Sequence, residues 1–273
     1  MQFRLEHDYS LAQRGFPPIC QNNELTIKNR KHTLRIVTSQ RLVDPQILLI
    51  DADDTLWQNN IYFEESISDF MSFLNHREMT RRQVRAVINE VERETILEHG
   101  YGYHSFAHSL VKTFECLSTE PVTEELHQTI WNFAHRITKY PIELIEGVPA
   151  TLSYLGKRRH HLVLMTKGNF TEQSAKVERS GLKEYFAAIE IVAEKNAPTY
   201  RSIISKYELD RDSTWMVGNS PKSDINPALA AGINAVFVPH DSTWILEHET
   251  VSEAPAGLHL LVVEKFSDLQ KHF

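Results

Sequence analysis

Strand-like and helix-like segments alternate along the second half of this 273-residue chain, and this alternation restricts the possible folds more than any other feature. Short apolar runs predict strands at 162–165, 188–192, 214–217, 235–238 and 260–263. Helical patterns lie before, between and after them, around 148–157, 171–180, 197–206, 223–231 and 266–271. Alternation of this kind is typical of βαβ units, whose strands pair in parallel and are covered on both faces. We therefore expect an α/β protein with a parallel sheet.

A further strand, 46–50, stands apart from this run and is expected to join the same sheet. Between it and the second half, apolar residues recur at helical spacing, as in Phe63, Ile67 and Phe70. We interpret residues 61–145 as an all-helical domain inserted into a core formed by 45–60 and 146–273. Residues 1–44 differ in composition, with a proline pair and scattered basic residues, and are predicted to be a loosely structured extension.

The composition indicates which partners to expect. The formal net charge is −7, and no long basic run offsets it, so we expect no nucleic-acid partner. No apolar run approaches the length that spans a bilayer, so we expect no membrane partner. The two cysteines, Cys20 and Cys116, are far apart and lack metal-type spacing, which favours a reducing, cytoplasmic location. The sequence does not indicate an oligomeric state.

Carboxylates begin where the first predicted strand must end. Asp51 and Asp53 follow Ile47–Ile50 directly, and a hydroxyl follows at Thr55. Open α/β sheets place their chemistry at the carboxyl ends of strands, so this segment offers a nucleophile, a proton-transfer group and a magnesium site. The competing interpretation is a simple turn, because Asp readily accepts hydrogen bonds from nearby backbone amides.

Polar residues also follow three later strands. Thr166, Lys167 and Gly168 end the strand at 162–165, and a hydroxyl with free amides at such a turn suits phosphate oxygens. Lys195 precedes a helix and could neutralise a carboxylate and a phosphoryl group together. Gly218, Asn219 and Asp224 follow the strand at 214–217, where Asp224 could ligate a divalent ion or cap a helix.

In this order, the four segments resemble the motifs of the haloacid dehalogenase-like (HAD) hydrolase superfamily. Those motifs are Asp-x-Asp-x-Thr, then Thr or Ser, then Lys, and finally Gly-Asp-x-x-x-x-Asp, each placed at a strand end or before a helix. Here they read Asp51 to Thr55, Thr166, Lys195, and Gly218 to Asp224. The resemblance covers roughly residues 46–270. It implies a Rossmann-like parallel core and places the helical insert with the subclass whose cap follows the first motif.

The resemblance also implies roles for these residues. Asp51 attacks phosphorus and forms an aspartyl-phosphate, while Asp53 protonates the leaving oxygen and later activates water. Thr166, Lys167 and Gly168 bind the phosphoryl oxygens, and Lys195 balances charge. Asp51, the backbone carbonyl of Asp53, Asn219 and Asp224 hold Mg²⁺. The implied function is a magnesium-dependent phosphatase acting on a small phosphorylated metabolite.

Asp53 bears on the choice of reaction. Family members that cleave carbon–halogen bonds lack an acid at this position, so Asp53 favours phosphate-ester hydrolysis. Phosphomutases keep both aspartates, and transfer to a second hydroxyl therefore stays an alternative.

Asn219 is the one departure from the motifs, because the family usually has Asp there. The amide offers an oxygen ligand without the charge. A non-catalytic protein that binds phosphate esters is therefore a further alternative.

Other features are weaker candidates. Tyr101 and Tyr103, beside two glycines in the helical insert, are candidates for substrate contact. His104 and His108 have the spacing of two metal ligands on one helix face, but the sequence shows no third ligand. His240 follows a strand end and could border the site, whereas His160 and His161 are expected to be structural.

Overall fold

The computed structural model describes residues 42–273. The predicted extension, 1–44, lies almost wholly outside this range. The described residues form two compact units. We call residues 66–99 and 103–138 the helical unit, and residues 42–65, 100–102 and 139–273 the α/β unit.

The α/β unit contains one sheet of six parallel strands in the order β3-β2-β1-β4-β5-β6. The strands are β1 (Ile47–Ile50), β2 (His161–Lys167), β3 (Ala188–Val192), β4 (Thr214–Gly218), β5 (Asn234–Phe237) and β6 (Leu260–Val262). The predicted parallel α/β fold is thus confirmed. The strand before Asp51 lies at the centre of the sheet, between β2 and β4, although β2 is more than a hundred residues away in the chain.

Apolar side chains alternate between the two faces of β1, as strand geometry requires. Leu48 and Ile50 pack into one apolar cluster with Leu164 and Val217, while Leu49 packs into a second cluster on the opposite face. All three β1 side chains are fully buried. Burial on both faces explains why this strand is a continuous apolar run rather than an alternating one.

Helices cover the sheet and connect its strands. In the α/β unit they are α5 (Val148–Lys157), α6 (Phe170–Ser180), α7 (Ala197–Lys206) and α8 (Asn226–Ala231). A π-helical turn, Pro221–Ile225, stands where the sequence predicts one continuous helix at 223–231. The predicted helix at 266–271 is a 3-10 helix. The hydrogen-bond spacing departs from that of an α-helix in both segments, to i→i+5 in the π-helical turn and to i→i+3 in the 3-10 helix.

The helical unit is built from amphipathic helices. α2 (Arg81–His99), α3 (Tyr103–Leu117) and α4 (Glu124–His135) pack together, and α1 (Asn60–Leu74) begins in the α/β unit and continues here. Buried positions such as Ile88, Leu110 and Ile130 recur on one side of each helix, which matches the spacing in the sequence. Within residues 42–273, no helix combines the length and apolarity needed to cross a bilayer.

His160 has a structural role, as the sequence indicates. Its Nδ1 atom accepts a hydrogen bond from the backbone amide of Gln46 at 3.0 Å, which ties the start of β2 to the start of β1. Burial, together with the charges of Arg158 and His161, lowers the pKa of His160. The neutral ring is the form that can accept this bond.

Candidate active site

The polar segments predicted from the sequence are aligned along one edge of the sheet by strand register. Ile50 pairs with Leu164 of β2 and Val217 of β4, so Asp51 continues β1 beside the ends of both neighbours. The amide of Asp51 donates to the carbonyl of Val217 at 2.9 Å. The strand order reverses between β1 and β4, and doubly wound sheets bind ligands in the crevice at such a point.

Lys195 joins two of the predicted carboxylates. Its Nζ atom donates to Asp51 Oδ1 at 2.5 Å and to Asp224 Oδ1 at 2.8 Å. All three side chains are buried; Lys195 is 3% exposed and Asp224 1%. A buried cation shared by two carboxylates stays charged only because both anions compensate the loss of hydration. Residues from three distant motifs therefore meet around one ammonium group.

Burial and neighbouring charges shift the pKa values of Asp51 and Lys195 in this cluster. Burial raises the pKa of Asp51 to about 7; the Lys195 ammonium acts in the opposite direction, and the charge of Asp224 adds to the rise. Burial alone would lower the pKa of Lys195, but Asp224 and Asp51 outweigh it and raise that pKa. Lys195 therefore stays protonated at neutral pH.

Oxygen atoms from the first and fourth motifs converge on Thr55. Its hydroxyl lies 2.9 Å from Asp51 Oδ2 and 3.3 Å from Asn219 Oδ1. Carboxylate and amide oxygens are ligands that Mg²⁺ accepts, so this donor set fits the ion. Across the described part of the chain, no group of three or more His, Cys, Asp or Glu side chains is arranged to hold a metal. The predicted Mg²⁺ ligands instead combine the Asn219 amide and the backbone carbonyl of Asp53 with the carboxylates of Asp51 and Asp224.

Asp53 is bound by three side chains that the sequence analysis did not identify. Lys176 Nζ contacts both carboxylate oxygens at 2.6 Å, Gln173 Nε2 donates to Oδ2 at 2.9 Å, and Trp57 Nε1 donates to Oδ1 at 2.7 Å. Burial would raise the pKa of Asp53, but Lys176 and the two other donors outweigh it and lower that pKa. Asp53 is therefore ionised in this arrangement. Gln173 and Lys176 stand three apart on α6, a spacing that places them on one helix face.

Asp54, the third acidic residue of the first motif, stabilises the turn that follows β1. Asp54 has a φ of +60°, and its carboxylate accepts hydrogen bonds from the amides of Asn59 and Asn60 at 2.9 and 3.1 Å. Burial raises the pKa of Asp54 to about 7. His240 lies beside it, with Nδ1 4.0 Å from Asp54 Oδ1. The turn interpretation of the Asp-rich segment is thus correct for this residue.

Gly218 allows the fourth-motif carboxylate to approach the end of β4. A Cβ atom built on Gly218 would overlap the Asp224 carboxylate, so no other residue fits without displacing Asp224. The amide of Ser220 also donates to Asp224 Oδ2 at 2.9 Å. Both oxygens of Asp224 are therefore engaged, one by the turn and one by Lys195.

The three residues predicted to bind phosphate differ in their surroundings. Thr166 is buried near the carboxyl end of β2. The amide of Gly168 donates to the Val192 carbonyl at 3.0 Å, which continues the β2–β3 pairing. Gly168 has a φ of +140°, a conformation that favours glycine. The Lys167 ammonium points to a separate polar cluster.

That second cluster centres on a buried ion pair that the sequence analysis missed. Lys167 Nζ lies 2.6 Å from Glu247 Oε1, 2.8 Å from Ser223 Oγ and 3.2 Å from Tyr101 OH. Glu247 and Glu194 raise the pKa of Lys167 against the effect of burial, with help from Tyr101. Tyr101 also donates to Glu194 Oε2 at 2.7 Å. The residue types give no signal for this pairing, since Glu247 lies outside every motif.

The other candidates lie in the helical unit. Tyr103 packs edge-on against His135, with ring centroids 5.7 Å apart. His104 and His108 both contact the ring of Trp131, and His108 also stacks on His99. Burial and the neighbouring histidines lower the pKa of His108. These imidazoles form an aromatic cluster around Trp131.

Comparison with known proteins identifies a family. The family model described as haloacid dehalogenase-like hydrolase matches residues 48–238. A search of curated proteins finds no match. A haloacid dehalogenase-like family hydrolase from Xanthomonas campestris is 28% identical, with a TM-score of 0.70 over 83% of this chain and 89% of that chain.

Two further structures share the fold at lower identity. The HAD-hydrolase YfnB from Bacillus subtilis, bound to magnesium, is 18% identical, with a TM-score of 0.54 over 84% of this chain and 97% of that chain. The L-2-haloacid dehalogenase from Xanthobacter autotrophicus is also 18% identical, with a TM-score of 0.54 over 84% of this chain and 98% of that chain.

Proposed function

Because this chain belongs to the haloacid dehalogenase-like hydrolase family, we propose that it is a magnesium-dependent phosphatase that hydrolyses a small phosphomonoester. The observation that carries the proposal is the contact of Lys195 with both Asp51 and Asp224. This contact places the Asp51 carboxylate, which is the proposed nucleophile, next to the buried ammonium group of Lys195. A carboxylate needs a nearby cation in order to approach a phosphate dianion. We also propose a cytoplasmic location, because the only two cysteines of the sequence, Cys20 and Cys116, are far apart and lack metal-type spacing.

The proposed reaction has two halves. In the first, an Asp51 carboxylate oxygen attacks phosphorus, the bond to the leaving oxygen breaks, and that oxygen takes a proton from Asp53. In the second, water attacks the aspartyl-phosphate, its proton passes to Asp53, and free phosphate leaves with Asp51 restored. Lys195 compensates the charge on Asp51 and the phosphoryl group, and the Thr166 hydroxyl donates to a phosphoryl oxygen.

The contact of Lys176 with Asp53 suits the second half of the proposed reaction, in which Asp53 accepts a proton. Its ammonium keeps Asp53 ionised, which is the state that accepts a proton from water. Donating a proton in the first half requires Asp53 to be protonated and to give up this contact. Substrate binding next to Asp53 therefore has to displace Lys176 or to follow protonation of the carboxylate.

The residues that would hold Mg²⁺ are Asp51, the backbone carbonyl of Asp53, Asn219 and Asp224. When bound, the ion supplies positive charge that screens the phosphoryl group from the nucleophile. The YfnB structure supports the choice of ion, since that relative is bound to magnesium. The donors around Thr55 are all oxygens, which is the ligand type this ion prefers.

Asp53 is the feature that favours phosphate over halide as the leaving group. A halide leaves without a proton, whereas an alkoxide needs one. The contacts with Lys176, Gln173 and Trp57 hold the carboxylate of Asp53, two residues beyond the proposed nucleophile. We therefore propose phosphomonoester hydrolysis in preference to the dehalogenation found in the Xanthobacter relative.

Parallel assays of the purified protein test this proposal. We expect the protein to release inorganic phosphate from p-nitrophenyl phosphate in the presence of Mg²⁺, and this release should be at least about 100-fold slower after chelation. We expect no halide release from 2-chloropropionate. Asp53→Asn should slow phosphate release by about 10²-fold or more, because the proton-transfer group is lost. Asp44→Asn, an exposed carboxylate at the opposite end of β1, is the matched control. Halide release, or phosphate release that survives chelation, would contradict the proposal.

A further inference from the structure

The segment that follows β5 holds the fourth-motif turn at two points. Asn219 Nδ2 donates to Thr243 Oγ1 at 2.9 Å, and Ser220 Oγ donates to Glu247 Oε2 at 2.5 Å. Asn60 Nδ2 in turn donates to the carbonyl of Ser242 at 2.8 Å, which fixes this segment to the first-motif region. No sequence motif includes Thr243 or Glu247.

The hydrogen bonds of Thr243 have a fixed direction. A hydroxyl has one proton to donate, and Thr243 Oγ1 lies 2.8 Å from the carbonyl of His240, which can only accept. Thr243 must therefore act as an acceptor towards Asn219. Of the two ends of the Asn219 amide, only the NH₂ group can donate to it.

This constraint determines which end of the amide faces the nucleophile. With the nitrogen held by Thr243, the Asn219 oxygen lies 3.3 Å from Thr55 Oγ1, which can donate its single proton either to this oxygen or to Asp51 Oδ2 at 2.9 Å. The amide oxygen is thus on the side of the first motif. With the amide reversed, its two N–H groups would face that side and repel a cation.

We propose that Thr243 is a positioning residue that orients Asn219, so that a neutral amide oxygen serves as the metal-facing ligand at this position. The inference rests on the proposed magnesium site. Aspartate needs no such partner, because both of its oxygens accept and either can face a cation. Asparagine has one accepting oxygen, so its usefulness as a ligand depends on a group that selects its orientation.

Calorimetric titration of the full chain with Mg²⁺ alone tests this inference without measuring activity. We expect Thr243→Val to weaken Mg²⁺ binding by about 10-fold or more, in line with the loss of other groups that orient metal ligands. Thr243→Ser should bind as the wild type does, since it keeps the hydroxyl. In an Asn219→Asp background, adding Thr243→Val should change the affinity by less than about twofold, because the carboxylate needs no orientation.

Thr129→Val is the matched control, since its hydroxyl donates to the Glu125 carbonyl on the surface of α4 and should not affect Mg²⁺. Thermal melting of each variant confirms that it is folded, and Thr243→Ala replaces Thr243→Val if the latter is not. The inference is overturned if Thr243→Val binds Mg²⁺ as the wild type does. It is also overturned by equal losses in both backgrounds, or by a wild type that binds no Mg²⁺. A wild type that binds Mg²⁺ normally but hydrolyses no phosphomonoester would overturn the proposed function alone.

Discussion

Replacing Asp51 with asparagine is expected to reduce phosphate release by at least about 10³-fold, because the proposed nucleophile is lost. The amide is close in size to the carboxylate, so it can still occupy the buried position between Lys195 and Thr55. Its nitrogen cannot accept a hydrogen bond or attack phosphorus. The measurement is the turnover of p-nitrophenyl phosphate at saturating Mg²⁺, with circular dichroism to show that the fold is retained.

Asp44→Asn serves again as the control, since Asp44 is exposed and precedes the amino end of β1. It should keep wild-type turnover within about twofold, as expected of an isolated surface change. Activity of Asp51→Asn within tenfold of the wild type would mean that another group attacks phosphorus.

Replacing Lys195 with methionine is expected to have the largest effect on stability. The change leaves Asp51 and Asp224 buried together without a cation, and breaking a buried ion pair in this way costs about 3–5 kcal/mol. Removing the ammonium also removes the charge that lowers the pKa of Asp51. The folded state then favours protonated carboxylates, so the loss of stability should be greatest at neutral and alkaline pH and should shrink as pH falls. Urea unfolding at several pH values measures this.

Lys206→Met is the matched control for the removal of one lysine. Lys206 pairs with Glu190, but its side chain is 56% exposed, and solvent-exposed ion pairs of this kind add little to stability. Lys195→Met should also lose most phosphate release, because no cation then compensates Asp51. A Lys195→Met protein as stable as Lys206→Met at every pH would show that the cluster around Lys195 is not a charged one.

The strand edge and its central cluster could be predicted because they depend on local patterns. An apolar run followed by a carboxylate places Asp51 at a strand end, and parallel pairing brings the ends of neighbouring strands together. Lys195 could be associated with Asp51 through its position between two predicted strand ends and through the order of the motifs, since lysine as a residue type is most often a solvated surface residue. The structure adds that it is shared with Asp224.

The partners of Asp53 and Lys167 could not be predicted because they depend on side-chain directions across the fold. Lys176 is 123 residues from Asp53, and Glu247 is 80 residues from Lys167. Lys167 was predicted to bind substrate because it follows Thr166, yet alternation along β2 sends successive side chains to opposite faces. Its ammonium lies beside Glu247 and Tyr101. The substrate role of Lys167 stays a prediction.

Asp51 must carry the phosphoryl group during each turnover if the proposed chemistry is correct. Acid quenching of the wild-type protein during hydrolysis of p-nitrophenyl phosphate, followed by peptide mass spectrometry, measures this directly. We expect one phosphoryl group on the peptide that contains Asp51, and none in Asp51→Asn treated in the same way. Rapid phosphate release with a phosphoryl group on a different residue, or equal labelling of Asp51→Asn, would contradict the account.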